Sequence, residues 1–350
     1  MEFLVNYNRI FINQIQILLN LKHTYLMKNV IGNRILWFLS ISLLVLLSSC
    51  VEDKELDQAV LKFDNKNLFI MNLSLGFIMF GVALQLKIDD FMRVFSAPKS
   101  VLIGFISQFI ALPFLTFLVV WIFKPMPSVA MGMIIVAACP GGNISNFMTS
   151  LANGNTALSV CMTAIASVCA VFMTPLNISL YGGLYAPTSL ILEEVSLDFF
   201  AMLEIVGMIL LIPLVLGMLL RYYKPKIADS LHLFTHYGSM LIFGLIIVFA
   251  FIANMDLFLK YIHLVIFVVF VHNALGIFTG FGLAKLFKLP SKDKKTLAIE
   301  TGIQNSGLGL GLIFSFFDGM GGMVIIAGWW GIWHIISGLS IAYLFKNRSF

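Results

Sequence analysis

The sequence is poor in charge: Asp, Glu, Lys and Arg make up 11% of its 350 residues, where a soluble domain carries roughly 25%. With 60% hydrophobic residues and a mean hydropathy of +0.97, a water-soluble globular fold is excluded. Cysteine is scarce too. Of Cys50, Cys139, Cys161 and Cys169, the last three fall inside apolar segments, which leaves no disulfide framework and makes them small core residues. Motifs for intramembrane catalysis are missing: there is no His-Glu-x-x-His, no Gly-x-Ser-x-Gly and no paired-Asp helix motif, so an enzyme is not expected. No basic stripe interleaved with aromatics is present either. The formal net charge of +5, from 22 basic and 17 acidic residues, is read as loop asymmetry rather than affinity for nucleic acid. Neither a cofactor nor an obligatory protein partner is implied.

What fills the chain is a series of continuous apolar runs, at 35–50, 68–86, 101–123, 128–152, 156–181, 199–220, 238–255, 262–287, 297–317 and 322–345. About 20 apolar residues span the hydrocarbon core as a helix. A transmembrane barrel would alternate apolar and polar residues along each strand. The expectation is therefore an all-α polytopic membrane protein of nine or ten spans in a lipid bilayer. One alternate set of loops carries 13 Lys and Arg residues, among them Lys87, Arg93, Arg221, Lys292 and Arg348. The other carries 5: Lys54, Lys62, Lys66, Lys124 and Lys260. By the positive-inside rule the C-terminus is cytoplasmic. Arg9, Lys22, Lys28 and Arg34 are set aside, because the N-terminal region reads in two ways. Residues 1–34 form an extension, and 35–50 is either a first transmembrane helix or, with Met27 as an alternative start and Leu47-Ser48-Ser49-Cys50 as its end, a lipoprotein-type signal lipidated at Cys50. Residues 51–67 are an external linker, 68–345 the main membrane domain and 346–350 a cytoplasmic tail. Gln108 lies sixteen residues before Lys124 and His272 sixteen before Lys288, in similar helix ends placed on opposite sides of the membrane. That pairing suits an inverted repeat.

Polar residues interrupt two of the runs. Segment 128–152 contains Cys139-Pro140-Gly141-Gly142-Asn143-Ile144-Ser145-Asn146; proline removes a backbone donor and two glycines loosen the helix, so it should break at Pro140, Gly141 and Gly142. Irregular backbone at membrane depth persists only where protein or a watery cavity satisfies it. Ser159 and Thr163 are spaced to share one helical face, and back-bonding to a carbonyl would satisfy both unless other oxygens converge on them. Segment 297–317 opens with Glu300 and, one turn later, Gln304, followed by Asn305-Ser306-Gly307-Leu308-Gly309-Leu310-Gly311. A carboxylate there costs about 3 kcal/mol on insertion scales, so it should face a partner, a cavity or an ion path unless it snorkels to water near Lys294 and Lys295. The two-residue glycine spacing allows close helix approach or unwinding. Carboxylate, hydroxyl, amide and carbonyl oxygens are the ligands of a hard cation such as sodium, and the starts of half-helices suit an anion. A sodium-coupled anion carrier fits this set. A passive channel would need a continuous polar pore.

The stretch Cys139 to Asn146, continuing through Leu151-Ala152-Asn153-Gly154-Asn155 to Leu158-Ser159-Val160, resembles a signature of the bile acid:sodium symporter family. Glu300-Thr301-Gly302-Ile303-Gln304-Asn305-Ser306-Gly307-Leu308 is similar to that family's second signature, and the likeness runs from about 68 to 345. The resemblance implies inverted repeats, panel and core domains, two broken helices crossing near the midplane, and two sodium ions. It assigns the first ion to Ser145, Asn146, Ser159, Thr163 and Glu300. The second falls to Gln108, Glu300, Gln304 and the backbone carbonyls of Thr301 and Ile303. Asn143, Asn305 and His334 would meet the substrate. The implied activity is sodium-coupled import of an organic anion, either a small carboxylate or a bile acid or steroid conjugate, by alternating access. A proton-coupled or uncoupled carrier on the same fold is the alternative. The chain departs from the family at Asn155, often Asp, and at Ala166-Ser167, often Ser-Thr. With the lipoprotein-like N-terminus, the expected location is the bacterial inner membrane.

Overall fold

A computed structural model describes residues 57, 65–87, 89–90, 97–195, 199–253 and 255–350. The segment 35–50 and Cys50, with their two readings, lie outside the described residues. Among the described residues every regular element is helical, as apolar backbone in a bilayer requires when each peptide group must be satisfied within its own segment.

The first helix, α1, covers Asn65–Ala83. A second rod consists of α2 (Pro98–Ile106), a π-helical turn (Ser107–Ala111) and α3 (Leu112–Phe123). The sequence explains the turn. Pro113 has no N–H for the carbonyl four residues back, which is that of Phe109, and Asn177 Nδ2 donates to that freed oxygen at 3.0 Å. Next come α4 (Pro127–Ala138) and α5 (Ile144–Leu151), separated by the break, then the long α6 (Thr156–Leu184). A short helix, α7 (Ala186–Glu194), was not anticipated from the apolar runs. The rod α8 (Phe199–Val206), π turn (Gly207–Leu211) and α9 (Ile212–Tyr223) repeats the proline device at Pro213. The chain then runs through α10 (Pro225–Ala253) and α11 (Met255–Leu286), both starting earlier than the apolar runs 238–255 and 262–287 implied. Finally α12 (Ser291–Gly302) and α13 (Ser306–Phe316) form the second broken pair, followed by α14 (Gly321–Lys346).

Five helices among the described residues are long and apolar enough to cross a membrane: 98–123, 156–184, 199–223, 265–286 and 321–346. Their outward faces carry Trp121, Phe172, Leu180, Phe200, Ile212 and Phe278, all exposed, as lipid-facing positions are. The protein is a multi-pass membrane protein. In the helix packing α1 lies against α9, α10 and α13, α6 packs against the first broken pair, α7, α8 and α12, and α14 packs against α4, α11 and α13. The main core, containing Met131, Ile135, Phe314, Trp330 and Phe109, is buried between the two broken pairs and α14.

Among the described residues four non-glycine residues have positive φ: Lys124, Asn153, Lys288 and Asp318. They occur as two matching sets. Lys124 and Lys288 end the rods that precede each broken pair, and Asn153 and Asp318 follow the second half-helix of each pair. Element order and backbone reversals therefore recur in the two halves.

Candidate functional site

The two breaks meet. Gly141 and Gln304 form an isolated antiparallel bridge; Gly142 N–H donates to Ile303 O at 2.8 Å and Asn305 N–H to Pro140 O at 2.9 Å. Each unwound segment thus supplies partners for the other's orphaned backbone groups. The first break falls at Pro140 to Asn143, where the sequence placed it. The second falls at Ile303 to Asn305, while the glycines at 307, 309 and 311 remain inside α13. Of the three, Gly311 serves close packing rather than unwinding. A Cβ at Gly311 would lie 2.0 Å from Leu75 Cδ1.

On one side of the crossing Glu300 is buried, with 4% of its surface exposed. It does not snorkel. Ser145 Oγ donates to its Oε1 at 2.7 Å, Ser159 Oγ donates to the same oxygen, and Thr163 Oγ1 lies 3.4 Å from Oε2. Thr163 Oγ1 is also 3.3 Å from Asn146 Oδ1. Oxygens from α5, α6 and α12 therefore converge, and the shared face of Ser159 and Thr163 is used between helices rather than for back-bonding. Thr149, which the sequence reading missed, adds its hydroxyl 3.3 Å from Ser159 Oγ. Among the described residues the partners of Glu300 are hydroxyls, not a cationic side chain. Lys295, near which Glu300 could have snorkelled to water, donates to Ala152 O at 3.0 Å.

Next to this cluster, Gln108 Nε2 donates to Gln304 Oε1 at 2.7 Å and to Cys139 O at 3.0 Å, and Gln304 Nε2 donates to Thr301 O at 2.7 Å. The π turn presents Ser107 as well, whose hydroxyl is 2.8 Å from that of Thr301. Ser107 and Asn273, the latter donating to Gly302 O at 2.7 Å, carried no sequence signal beyond being single polar residues on apolar helices. His272, paired with Gln108 by spacing, turns elsewhere: its Nε2 is 2.8 Å from Thr116 Oγ1 and its ring packs edge-on against Trp330.

On the other side of the crossing lies a cavity of about 590 Å³, lined by Gly142, Asn143, Gln304, Asn305, Ser306 and His334 together with apolar side chains of α1 and α14. Asn143 and Asn305 precede the first residues of α5 and α13, and Asn305 Oδ1 caps its helix by accepting from Leu308 N–H at 3.0 Å. Two half-helix starts thus border the cavity. His334 Nδ1 and Ser306 Oγ are buried without a partner among the described residues. The three residues expected to meet a substrate are brought together, and Ser306 joins them.

A multi-pass helical membrane protein with carboxylate, hydroxyl and amide oxygens gathered at crossed broken helices belongs to the class of membrane transporters. The family described as "Sodium Bile acid symporter family" matches residues 72–261. The chain is 34% identical over 298 residues to the "Uncharacterized sodium-dependent transporter YocS" of Bacillus subtilis (strain 168), covering 83% of this chain and 88% of that protein. It is 31% identical over 242 residues to the "Probable sodium/metabolite cotransporter BASS2, chloroplastic" of Oryza sativa subsp. japonica, covering 69% and 55%. It is also 31% identical over 246 residues to the "Sodium/bile acid cotransporter 4" of Mus musculus, covering 68% and 54%. The chain spans little more than half the length of the plant and mouse relatives. It belongs to the sodium bile acid symporter family, a family of transporters and not of enzymes.

Proposed function

We propose that the chain is a secondary active symporter that uses the inward sodium gradient to import an organic anion by alternating access. The observation that carries this reading is Glu300, buried among the hydroxyls of Ser145, Ser159 and Thr163 beside the crossing. A carboxylate desolvated without a counter-charge is costly, and a bound cation supplies that charge. One ion is assigned to Ser145, Asn146, Ser159, Thr163 and Glu300. A second is assigned to Gln108, Glu300, Gln304 and the carbonyls of Thr301 and Ile303. The Ile303 carbonyl already accepts from Gly142 N–H, and its second lone pair is the one left for an ion.

The cavity suits an amphipathic anion. The starts of α5 and α13 present the positive ends of their peptide dipoles, His334 and Ser306 offer polar atoms unpartnered among the described residues, and Leu75, Ile78, Met79 and Val82 form an apolar wall. A small carboxylate with an apolar body, or a bile acid or steroid conjugate, is the class proposed. Relatives named as metabolite and bile acid cotransporters support that range.

In this reading the group α1, α8, α9 and α10 is the panel and the remainder the core, each rocking past the other across the cavity, within an inverted repeat of nine spans over 68–345, or ten with 35–50. The C-terminus is cytoplasmic and the membrane is the bacterial inner membrane. Sodium bound at the crossing stabilises the anion-ready arrangement, so coupling is a difference in affinity between states. Two sodium ions with one monovalent anion carry net positive charge inward, which makes uptake sensitive to membrane potential.

The test is thermal unfolding of purified protein in sodium against equimolar potassium, for the wild type and Glu300→Gln. A sodium-specific rise in Tm that the variant lacks supports the ion sites; equal responses overturn them and favour a proton-coupled or uncoupled carrier. Counterflow in proteoliposomes then separates a carrier from a pore.

A further inference from the structure

Three consecutive peptides at the α12 break are each held through their carbonyl by a different donor. Gln304 Nε2 holds Thr301 O at 2.7 Å, Asn273 Nδ2 holds Gly302 O at 2.7 Å, and Gly142 N–H holds Ile303 O at 2.8 Å. The first donor is local and the third comes from the other broken helix. The second comes from α11, from a side chain with 1% of its surface exposed.

A glycine stripe places Asn273 there. Gly276 and Gly280 follow on the same face of α11. A Cβ at Gly276 would stand 2.8 Å from Thr301 O, and one at Gly280 2.1 Å from Leu297 O. Only bare backbone lets α11 lie this close to α12, and α11 and α12 form the most extensive contact between any two described elements. The arrangement also has a counterpart in the other half. Gln108 precedes the left-handed Lys124 by sixteen residues and donates to Cys139 O at the end of α4. Asn273 precedes the left-handed Lys288 by fifteen and donates to Gly302 O at the end of α12. Each rod thus delivers one amide to the carbonyl end of the broken helix that follows it, and Gln108 is itself bonded to Gln304.

We infer that Asn273 is a positioning residue for the coupling ions: it fixes the peptide between Gly302 and Ile303, so that the Thr301 and Ile303 carbonyls flanking it keep the orientation that binds sodium. This rests on the ion-site assignment proposed above. Without the amide, that peptide keeps only the bond from Ile303 N–H to Ile299 O at 2.9 Å, the Gly302 carbonyl is left buried and unpaired, and sodium binding must offset the loosened break before the ion can be held there.

The experiment is thermal unfolding across a sodium titration at constant total sodium plus potassium, for the wild type, Asn273→Ala and Thr188→Val. Thr188 Oγ1 donates to Gly182 O at 2.6 Å at the α6–α7 corner, so its loss removes a buried hydrogen bond away from the crossing. The expected result is a half-saturating sodium concentration about tenfold higher in Asn273→Ala, and an unchanged value in Thr188→Val despite a lower Tm in potassium. Asn273→Ala with a lower Tm in potassium and the wild-type half-saturation overturns the inference and leaves Asn273 a packing residue. If Asn273→Ala does not fold, Asn273→Ser is judged by the same shift in half-saturation. A wild type with no sodium response overturns the ion sites and this role with them, whereas a responding wild type with an unshifted Asn273 variant overturns only the role of Asn273.

Discussion

Ser145 Oγ donates to Glu300 Oε1 at 2.7 Å across 155 positions of sequence, tying the start of α5 to the end of α12. Both broken helices therefore depend on one carboxylate, and whatever charge it holds acts on the crossing as a whole. Because its partners among the described residues are hydroxyls, the proposed function has a bound cation complete the site.

Glu300→Gln keeps the shape of the side chain and removes the charge. In potassium the variant should unfold at the wild-type temperature or above it, since a desolvated carboxylate no longer lacks a counter-charge. In sodium the wild type should gain stability by mass action, about 2.7 kcal/mol at a hundred times the Kd, and the variant should gain none. Paired melts in the two salts check this.

Replacing Ser159 and Thr163 together by Ala removes two of the hydroxyls beside Glu300 while leaving α6 intact. Each lost ligand or charged hydrogen bond is worth about 1.5–3 kcal/mol, so half-saturating sodium should rise by at least about tenfold. A wild-type sodium response in the double variant would return the pair to a packing role.

Two glycines predict opposite kinds of damage. A Cβ at Gly280 meets the backbone at Leu297 O, 2.1 Å away, so Gly280→Ala must push α11 and α12 apart, with a loss of about 1–3 kcal/mol or more visible as a lower Tm in either salt. A Cβ at Gly141 comes within 3.1 Å of Glu300 Oε2 and 3.3 Å of Glu300 O, a tight but adjustable fit. Gly141→Ala should fold normally and show its defect in sodium half-saturation.

The sequence displayed the parts of the site that break a pattern. Pro140-Gly141-Gly142 cannot continue a helix, and Glu300 stands out in apolar surroundings, so the first break and the central carboxylate were visible beforehand. The second break was visible only approximately, because Ile303-Gln304-Asn305 contains no proline or glycine. The unwinding there is fixed by pairing with Gly142 and Pro140, a tertiary cause. Ser107, Asn273, Thr174 and Asn177 were not legible. Each is one polar residue on an apolar helix, and Thr174 and Asn177 acquire meaning only once Ala138 O and Phe109 O are seen to need donors. The short α7 was hidden by its mixed composition between two apolar runs.

The cavity side of the crossing should be separable from the ion side. His334 lines the cavity, and among the described residues its Nδ1 is unpartnered and it makes no hydrogen bond to the Glu300 cluster, so His334→Ala should leave the sodium-dependent rise in Tm intact. It should weaken anion uptake, because a buried polar contact to a bound anion contributes about 1.5–3 kcal/mol, roughly a tenfold to hundredfold change in apparent affinity. The check pairs the sodium melt with uptake of a labelled organic anion in proteoliposomes over a range of anion concentrations. If the variant loses its sodium response, His334 supports the crossing itself and the division into an ion side and a substrate side fails. If uptake is unchanged, the anion is held elsewhere in the cavity, and Asn305 and Ser306 at the start of α13 become the residues to alter next.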